Sequence, residues 1–513
     1  MKNFIYNDFE NYKGMDINEQ DYEYEFDFAG EIESNNEYNY FRLFFTDEIL
    51  NFFVKESNEY YTNILRNNFG NNFKEIILSK KNYNTYPYLY VKKGISKEDI
   101  IAFIGIRLYM GIHKYTSIES YWNNSNLYTN IISSIIPKNY YFLLAKCLHF
   151  PEKEEKEIKG DLPDDNDPRG KINFFLEKLS LNFRKYYILG KNITIDESLL
   201  HFTGRNNMKF YIPMKPHKWG FKMHLLCDSD THYLYNILFD PGKDGKKFIY
   251  FEENTSLSES IVLKLLSCVN DNKQRNIFFD GWYSSINLIK ILTEMGYMNT
   301  TILRSNAKGL PSKIKLEGYD NAYKDKILIQ KYEDKKKIFF ATNYKIDKED
   351  LKNTYNVKNR GVDVFDQYLG NSSIQRKTKK WYKKVFLFGI DAAIINSKII
   401  CELKQKRTYS TVLFKEKIIE TIFEIYKKYN SNNNNFIPTN NKSYIPNRFR
   451  LILHNIGHII MKKKDVNIAL KKHLINVKNV ICIYIQNVLP FIIIIMFIIK
   501  QIINFYYKIK IKL

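Results

Sequence analysis

Four aspartates occupy positions where carboxylates can do chemistry. Asp196 closes the β-branched run Ile193-Thr194-Ile195 in NITIDESLLHFTGR (192–205) and is followed at once by Glu197. Asp280 closes the apolar run NIFF (276–279), and Asp363 and Asp366 lie i, i+3 apart in RGVDVFDQYLG (360–370), on one face of a helix. A single aspartate at a strand end is most often a turn or cap residue. In an α/β sheet, however, the carboxyl ends of the strands form the ligand-binding edge. Carboxylates gathered there repel one another and are costly to bury unpaired. A hard divalent cation resolves both problems, and Mg²⁺ takes oxygen ligands while keeping positions open for water and phosphate. Two such ions, roughly 3.5–4 Å apart, can clamp the attacking and leaving oxygens of a phosphodiester displacement.

Cations lie close to each acidic motif. Arg205, Lys209, Lys215, Lys218 and Trp219 follow Asp196 in GRNNMKFYIPMKPHKWG, Arg304 follows a strand, and Arg376, Lys377, Lys379 and Lys380 follow Asp366. Arg205, Lys215, Lys218, Arg304 and the four residues 376–380 are the candidate DNA-backbone contacts. A solvated basic face is the competing reading for each. The run 376–380 is expected on one helix with Asp363, and Trp219 in the core. His201, His217, His224 and His232 are expected to be structural or on the surface.

The elements that must position these groups follow from periodicity. Residues 1–40 are acidic and rich in Tyr and Asn, and read as a disordered tail. Apolar helical periods over 41–150, with starts at Thr46-Asp47-Glu48 and Ser96, predict a helical domain, and 151–171 a charged linker. A helix over 172–187 is followed by strands at 192–196, 221–228, 233–239 and 276–280. A helix near Ser284 and a strand at 300–306 complete an α/β pattern. Short alternating strands over 310–358 read as a β-rich insertion that splits a catalytic domain of 172–309 and 359–428. An Asn-rich linker (429–442) leads to a hydrophobic or degenerate tail, 443–513. Its run VICIYIQNVLPFIIIIMFII (480–499) is about long enough to span a bilayer, although translated AT-rich sequence is the favoured reading.

The chain has 513 residues and a formal charge of +22, from 78 Lys+Arg against 56 Asp+Glu. With 44% apolar residues it is a globular protein and not a disordered one. The charge suggests a polyanionic partner such as nucleic acid, although an AT-rich coding sequence would also enrich Lys. The N-terminus shows no secretory signal. Five scattered cysteines without a C-x-x-C motif argue against a disulfide framework and a zinc finger.

Longer stretches carry more. ITIDESLLHFTGRNNMKFYIPMKPHKWGFKMHLLCDSDTHYLYNILFDPGK, FFDGWYSSINLIKILTEMGYMNTTILRSNAKGLP and NRGVDVFDQYLGNSSIQRKTKKWYKKVFLFGIDAAIINS resemble the core of the PiggyBac transposase family. So do LFFTDEIL, FIGIRLYMGI and SYW, and the resemblance runs in the family's order from about 41 to 405. It implies an α/β fold with a ribonuclease-H-like catalytic core, flanked by helical DNA-binding and dimerisation segments. The family's three catalytic aspartates fall on Asp196, Asp280 and Asp363, which would hold two Mg²⁺ ions, and its additional acidic position falls on Asp366. The implied activity is nicking of transposon ends, followed by attack of the freed 3′-OH on the opposite strand and on a TTAA-like target. A homodimer working on double-stranded DNA in the nucleus is implied, with membrane association of the tail disfavoured. Three departures stand out, one of them a tail after 440 that resembles nothing in the family. Gly281 follows the second aspartate where the family usually has Asn. The C-terminal Cys/His-rich domain is also missing: Cys482 is the sole cysteine after 401, and His454 and His458 alone do not complete a tetrahedral site, so no zinc is expected. A catalytically inactive DNA-binding protein with the same fold is the alternative. A two-carboxylate glycosidase is a distant third, because it leaves the charge and the third acidic motif unexplained.

Overall fold

The computed structural model describes residues 4–7, 12–15, 36–73 and 94–432, apart from 124, 126–127, 130, 152–166, 214, 250–254, 270–272, 318, 334–335 and 346–350. The hydrophobic tail with its run at 480–499, Cys482, His454 and His458 lie outside the described residues. Among those described, no helix is long and apolar enough to cross a membrane.

The chain enters through β1 (Ile5–Tyr6) and the helices α1 (Glu37–Phe44), α2 (Asp47–Phe69), α3 (Lys97–Ile112), α4 (Ile131–Ile135), α5 (Lys138–Cys147) and α6 (Gly170–Lys185). Local chemistry sets several of these starts. Asn36 caps α1 by accepting from the Tyr38 N–H at 2.8 Å, and Ser96 and Asp99 form a reciprocal capping box at α3. The strands β2 (Asn192–His201), β3 (Lys209–Tyr211), β4 (Trp219–Asp228) and β5 (Leu234–Phe239) follow, then α7 (Leu257–Leu266), β6 (Asn276–Phe279), α8 (Ile286–Glu294) and β7 (Met298–Leu303). Beyond them come α9 (Ser312–Leu316), β8 (Asn321–Lys324), β9 (Ile327–Glu333), β10 (Lys337–Thr342), α10 (Leu351–Lys358), α11 (Gly361–Gly370), α12 (Trp381–Gln405) and α13 (Thr411–Asn432).

Among the described residues, all ten strands form one sheet. At its centre, β5, β4 and β2 are antiparallel neighbours, and β6 and β7 continue from β2 in parallel. Three antiparallel strands joined to two parallel ones, with helices on the crossovers, make the core ribonuclease-H-like within a mixed α/β fold. The β-rich segment 310–358 widens this same sheet: β10 pairs antiparallel with β7, and β9 and β8 follow. The segment 1–40, expected to be a disordered tail, is docked where it is described. β1 pairs with β8, Met15 bridges Tyr344, and the buried Tyr12 hydroxyl donates to the carbonyl of Lys326 at 2.8 Å.

One apolar core runs from α1–α5 through α6 and the central strands to α12 and α13. The opposite face of β6 and β10 packs on α10 through Phe278, Phe340, Leu351 and Tyr355. The run 376–380, expected on one helix with Asp363, instead lies between two helices. Residues 371–380 form a non-helical link, pinned by buried polar groups. Arg107 Nη2 donates to the Ile374 carbonyl at 2.5 Å. Asp391 accepts from Ser373 Oγ at 2.9 Å and from the Ile374 N–H at 3.2 Å. Lys415 Nζ donates to the Ser372 carbonyl at 3.0 Å and lies 3.4 Å from Asp391 Oδ1.

Candidate active site

β2 does not end on its carboxylate as expected. Asp196 lies mid-strand, and β2 runs on to His201. The strand that ends is its parallel neighbour: β6 stops at Phe279, paired with Ile195, and Asp280 follows. The register Thr194↔Phe278 puts Asp196 and Asp280 side by side on one face of the sheet. Strand alternation would send Glu197 to the other face. Beyond Phe279, however, no strand lies beside β2 on this side, and the Glu197 carboxylate joins the pair at the open edge. One carboxylate oxygen each from Asp196, Glu197 and Asp280 lie within 4.8 Å of one another.

α11 lies across the same face of β2. Thr194 Oγ1 contacts the Lys358 carbonyl at 2.7 Å, and Ser198 Oγ donates to Asp366 Oδ1 at 2.6 Å. Gly361 makes this approach possible. A Cβ there would sit 2.9 Å from Thr194 Oγ1 and 3.2 Å from the Asp228 carbonyl oxygen. Gly361→Ala is therefore expected to push the start of α11 off β2 and destabilise the protein by about 1–3 kcal/mol, read as a shift in the urea midpoint. An unchanged midpoint would show that the helix start yields freely.

The charges are strongly coupled. Burial is the main cause that pushes the Asp196 carboxyl up, to about 8, and the nearby Glu197, Asp280 and Asp363 add to it. Burial also raises Asp280, against the Trp282 N–H that donates to its Oδ1 at 2.8 Å. Asp366 is pushed up to about 6 by burial, against the Ser198 hydrogen bond and the Lys215 charge. Asp363 is exposed in the first turn of α11, close enough to act on Asp196 but outside the three-carboxylate cluster. The structure thus brings Asp196 and Asp280 together, sets Asp363 and Asp366 above them, and adds Glu197. The adjacent acidic pair in the sequence was the available signal for Glu197, but only the early end of β6 lets both carboxylates share an edge.

The donor set consists of carboxylate oxygens, and burial and neighbouring carboxylates disfavour the charged forms of Asp196 and Asp280. This fits a hard divalent cation bound by Asp196, Glu197 and Asp280. Beneath them Lys222, largely buried, places Nζ 4.0 Å from Glu197 Oε2 and 3.9 Å from the centre of the Trp282 ring. His224 is fully buried, with Nδ1 2.7 Å from the Tyr283 hydroxyl and Nε2 3.3 Å from Asp240, so its role is structural, as expected. Gly281 turns against β7, where a Cβ would meet the Ile302 carbonyl at 3.3 Å.

The basic candidates separate into two groups. Arg205, Lys218, Arg304, Lys377 and Lys379 are exposed, whereas Lys215 Nζ donates to the Glu197 carbonyl at 3.2 Å. Arg376 and Lys380 do not share a helix with Asp363, contrary to expectation. Both reach back to the N-terminal helices, Arg376 Nη2 to the Tyr121 hydroxyl at 2.8 Å and Lys380 Nζ to the Tyr60 hydroxyl at 3.2 Å. Trp219, expected in the core, is 46% exposed, because it opens β4 at the rim of the sheet opposite the three-residue strand β3.

Residues 36–398 match the family model described as Transposase IS4. The chain is 22% identical over 392 residues to human PiggyBac transposable element-derived protein 2, covering 70% of this chain and 60% of that protein. It is 20% identical over 365 residues to human PiggyBac transposable element-derived protein 3, covering 64% and 59%. The chain thus spans about three fifths of the length of these human relatives. The fold is similar to that of the piggyBac transposase in the cryo-EM structure of its synaptic complex with hairpin DNA, with a TM-score of 0.65 and 24% identity over 82% of this chain and 85% of that one.

Proposed function

Because this chain belongs to the PiggyBac-type transposase family, we propose that it cuts and joins DNA strands by metal-dependent phosphodiester chemistry, with Mg²⁺ as the cation. The observation that carries this reading is the convergence of Asp196, Glu197 and Asp280 at the edge where β6 ends, beneath the helix that bears Asp363 and Asp366. Asp196 and Asp280 would hold the cations, Glu197 would join them, and Asp363 would close the site from α11. Bound cations would polarise the phosphodiester and lower the pKa of an attacking water. Asp366 acts through Ser198 to fix α11 over β2. The exposed cations Arg205, Lys218, Arg304, Lys377 and Lys379 would hold the DNA backbone. The test is incubation of the purified protein with Mg²⁺ and duplexes that carry the element's terminal repeats. Nicking followed by strand joining is expected. Binding without nicking would favour an inactive DNA-binding protein with the same fold, and failure to bind DNA would overturn both.

The link 371–380 supplies a narrower test. Replacing exposed Lys377 and Lys379 with Ala should reduce the log–log salt slope of DNA binding by about 0.9 for each phosphate that is no longer neutralised. Arg376→Ala should instead lower the melting temperature, because it removes the hydrogen bond to Tyr121. An unchanged slope for the double lysine variant would show that this link faces away from DNA.

A further inference from the structure

Trp219 is the most conspicuous misfit of the α/β core. Trp219 is 46% exposed and its neighbour Tyr211 is 50% exposed, with ring centres 4.8 Å apart across the β3–β4 register. Lys209 Nζ sits 4.6 Å from the Trp219 ring centre and is held there by the Gly204 carbonyl at 2.9 Å. Arg205 and Lys218 are exposed on the adjoining loops. Two exposed aromatic rings, one with a fixed cation over its face and exposed cations on the adjoining loops, have the chemistry of a surface that stacks a nucleobase while holding its phosphates.

Geometry ties this patch to the acidic centre. The loop 212–218 is closed at its neck by the Ile212 N–H, which donates to the Lys218 carbonyl at 2.8 Å. Lys215 fastens the loop at one end to the Glu197 carbonyl at 3.2 Å, and the His217 ring stacks on His201 at 4.3 Å at the other. His201 Nδ1 lies 3.1 Å from the Trp219 carbonyl oxygen. The loop therefore runs alongside β2 from the carboxylates to the aromatic pair. Asp196 and His201 are five residues apart on one strand, about 17 Å, the length of about five stacked base steps.

We infer that Trp219 and Tyr211 form a stacking platform for an unpaired nucleotide of the DNA strand that leads away from the acidic centre. The inference rests on the DNA-cleaving reading above. A base inside a duplex has both faces covered by its neighbours and offers nothing to an indole, whereas an unpaired base offers a free face. The platform thus selects single-stranded or frayed DNA, and would hold a strand end after it is cut.

The test is binding by fluorescence anisotropy in EDTA, so that nothing is cleaved, with a blunt duplex and with the same duplex carrying a six-nucleotide overhang. Trp219→Ala should weaken binding of the overhang duplex roughly five- to a hundredfold and leave blunt-duplex affinity within about twofold, whereas Trp219→Phe should keep most of the preference. With wild-type protein, 2-aminopurine moved along the overhang should change fluorescence most at one position, about the fifth. Equal loss on both duplexes would mean that the aromatic pair only holds the hairpin together and would overturn the proposal. So would no loss on either, or a 2-aminopurine signal that does not depend on position. Failure of the wild-type protein to bind either duplex would overturn the DNA-cleaving reading along with it.

Discussion

Asp196→Asn is expected to lower Mg²⁺-dependent DNA cleavage by at least about a thousandfold. A bound cation supplies several kcal/mol of charge stabilisation, and each 1.36 kcal/mol is a factor of ten in rate. Asp280→Asn should act alike, because the two carboxylates stand side by side on β2 and β6. Asp366→Asn should cost less, because Asp366 meets Ser198 and lies outside the three-carboxylate cluster. The same Asp196 substitution should stabilise the protein in EDTA. The folded carboxyl is raised from 3.8 to about 8. Its contribution to stability is therefore full below about pH 4 and is lost as pH rises towards 8. The melting temperature of Asp196→Asn should then exceed that of wild type by a margin that grows over this range, by about 1 °C for each kcal/mol relieved. Cleavage near the wild-type rate would remove Asp196 from the site. A melting temperature that falls on substitution would show that the buried carboxylate is held by groups other than its acidic neighbours.

Lys415→Met should be the most damaging single change outside the acidic centre. Lys415 and Asp391 are both 2% exposed, with Nζ and Oδ1 3.4 Å apart. Burial pushes the Asp391 carboxyl up, opposed first by the Lys415 charge and then by Ser373 and the Ile374 N–H. Breaking such a buried pair from one side typically costs about 3–5 kcal/mol, because the other charge is stranded. Here it would also free the link 371–380, which joins α11 to α12. The double variant Asp391→Asn, Lys415→Met removes both charges and should recover much of the loss. Urea midpoints of the two variants decide the matter, and a double variant no more stable than the single one would show that the pair acts through packing and not charge.

The sequence carried the two central aspartates because β-branched and apolar runs that end on Asp read as strands at a ligand edge, and the register of β2 with β6 places them there. Glu197 was hidden, since a period of two assigns neighbours to opposite faces and only a neighbouring strand's end relaxes that rule. Trp219 misled for a related reason. An aromatic that opens an apolar strand reads as core, yet its partner β3 is three residues long and leaves the rim open. The run at 376–380 has good helix formers in plenty, and nothing local forbids a helix there. What keeps the link extended is tertiary: Arg107, Asp391 and Lys415 take backbone groups of Ser372 and Ile374 just before the run, and Tyr60 and Tyr121 take two of its cations. The strands Ile327–Glu333 and Lys337–Thr342 were legible one by one, whereas Asn321–Lys324 was not. Their membership in the central sheet was not, because antiparallel pairing with β7 is a long-range choice that no local pattern encodes.

The central claim is that the edge where β6 ends is a divalent-cation site. Crystals of the protein soaked in Mn²⁺ and measured at the manganese absorption edge test it most directly. The account predicts an anomalous peak bridging the carboxylates of Asp196 and Asp280, absent from crystals of Asp196→Asn. A manganese peak that persists at that edge in the variant, or that appears only elsewhere in the molecule, would contradict it.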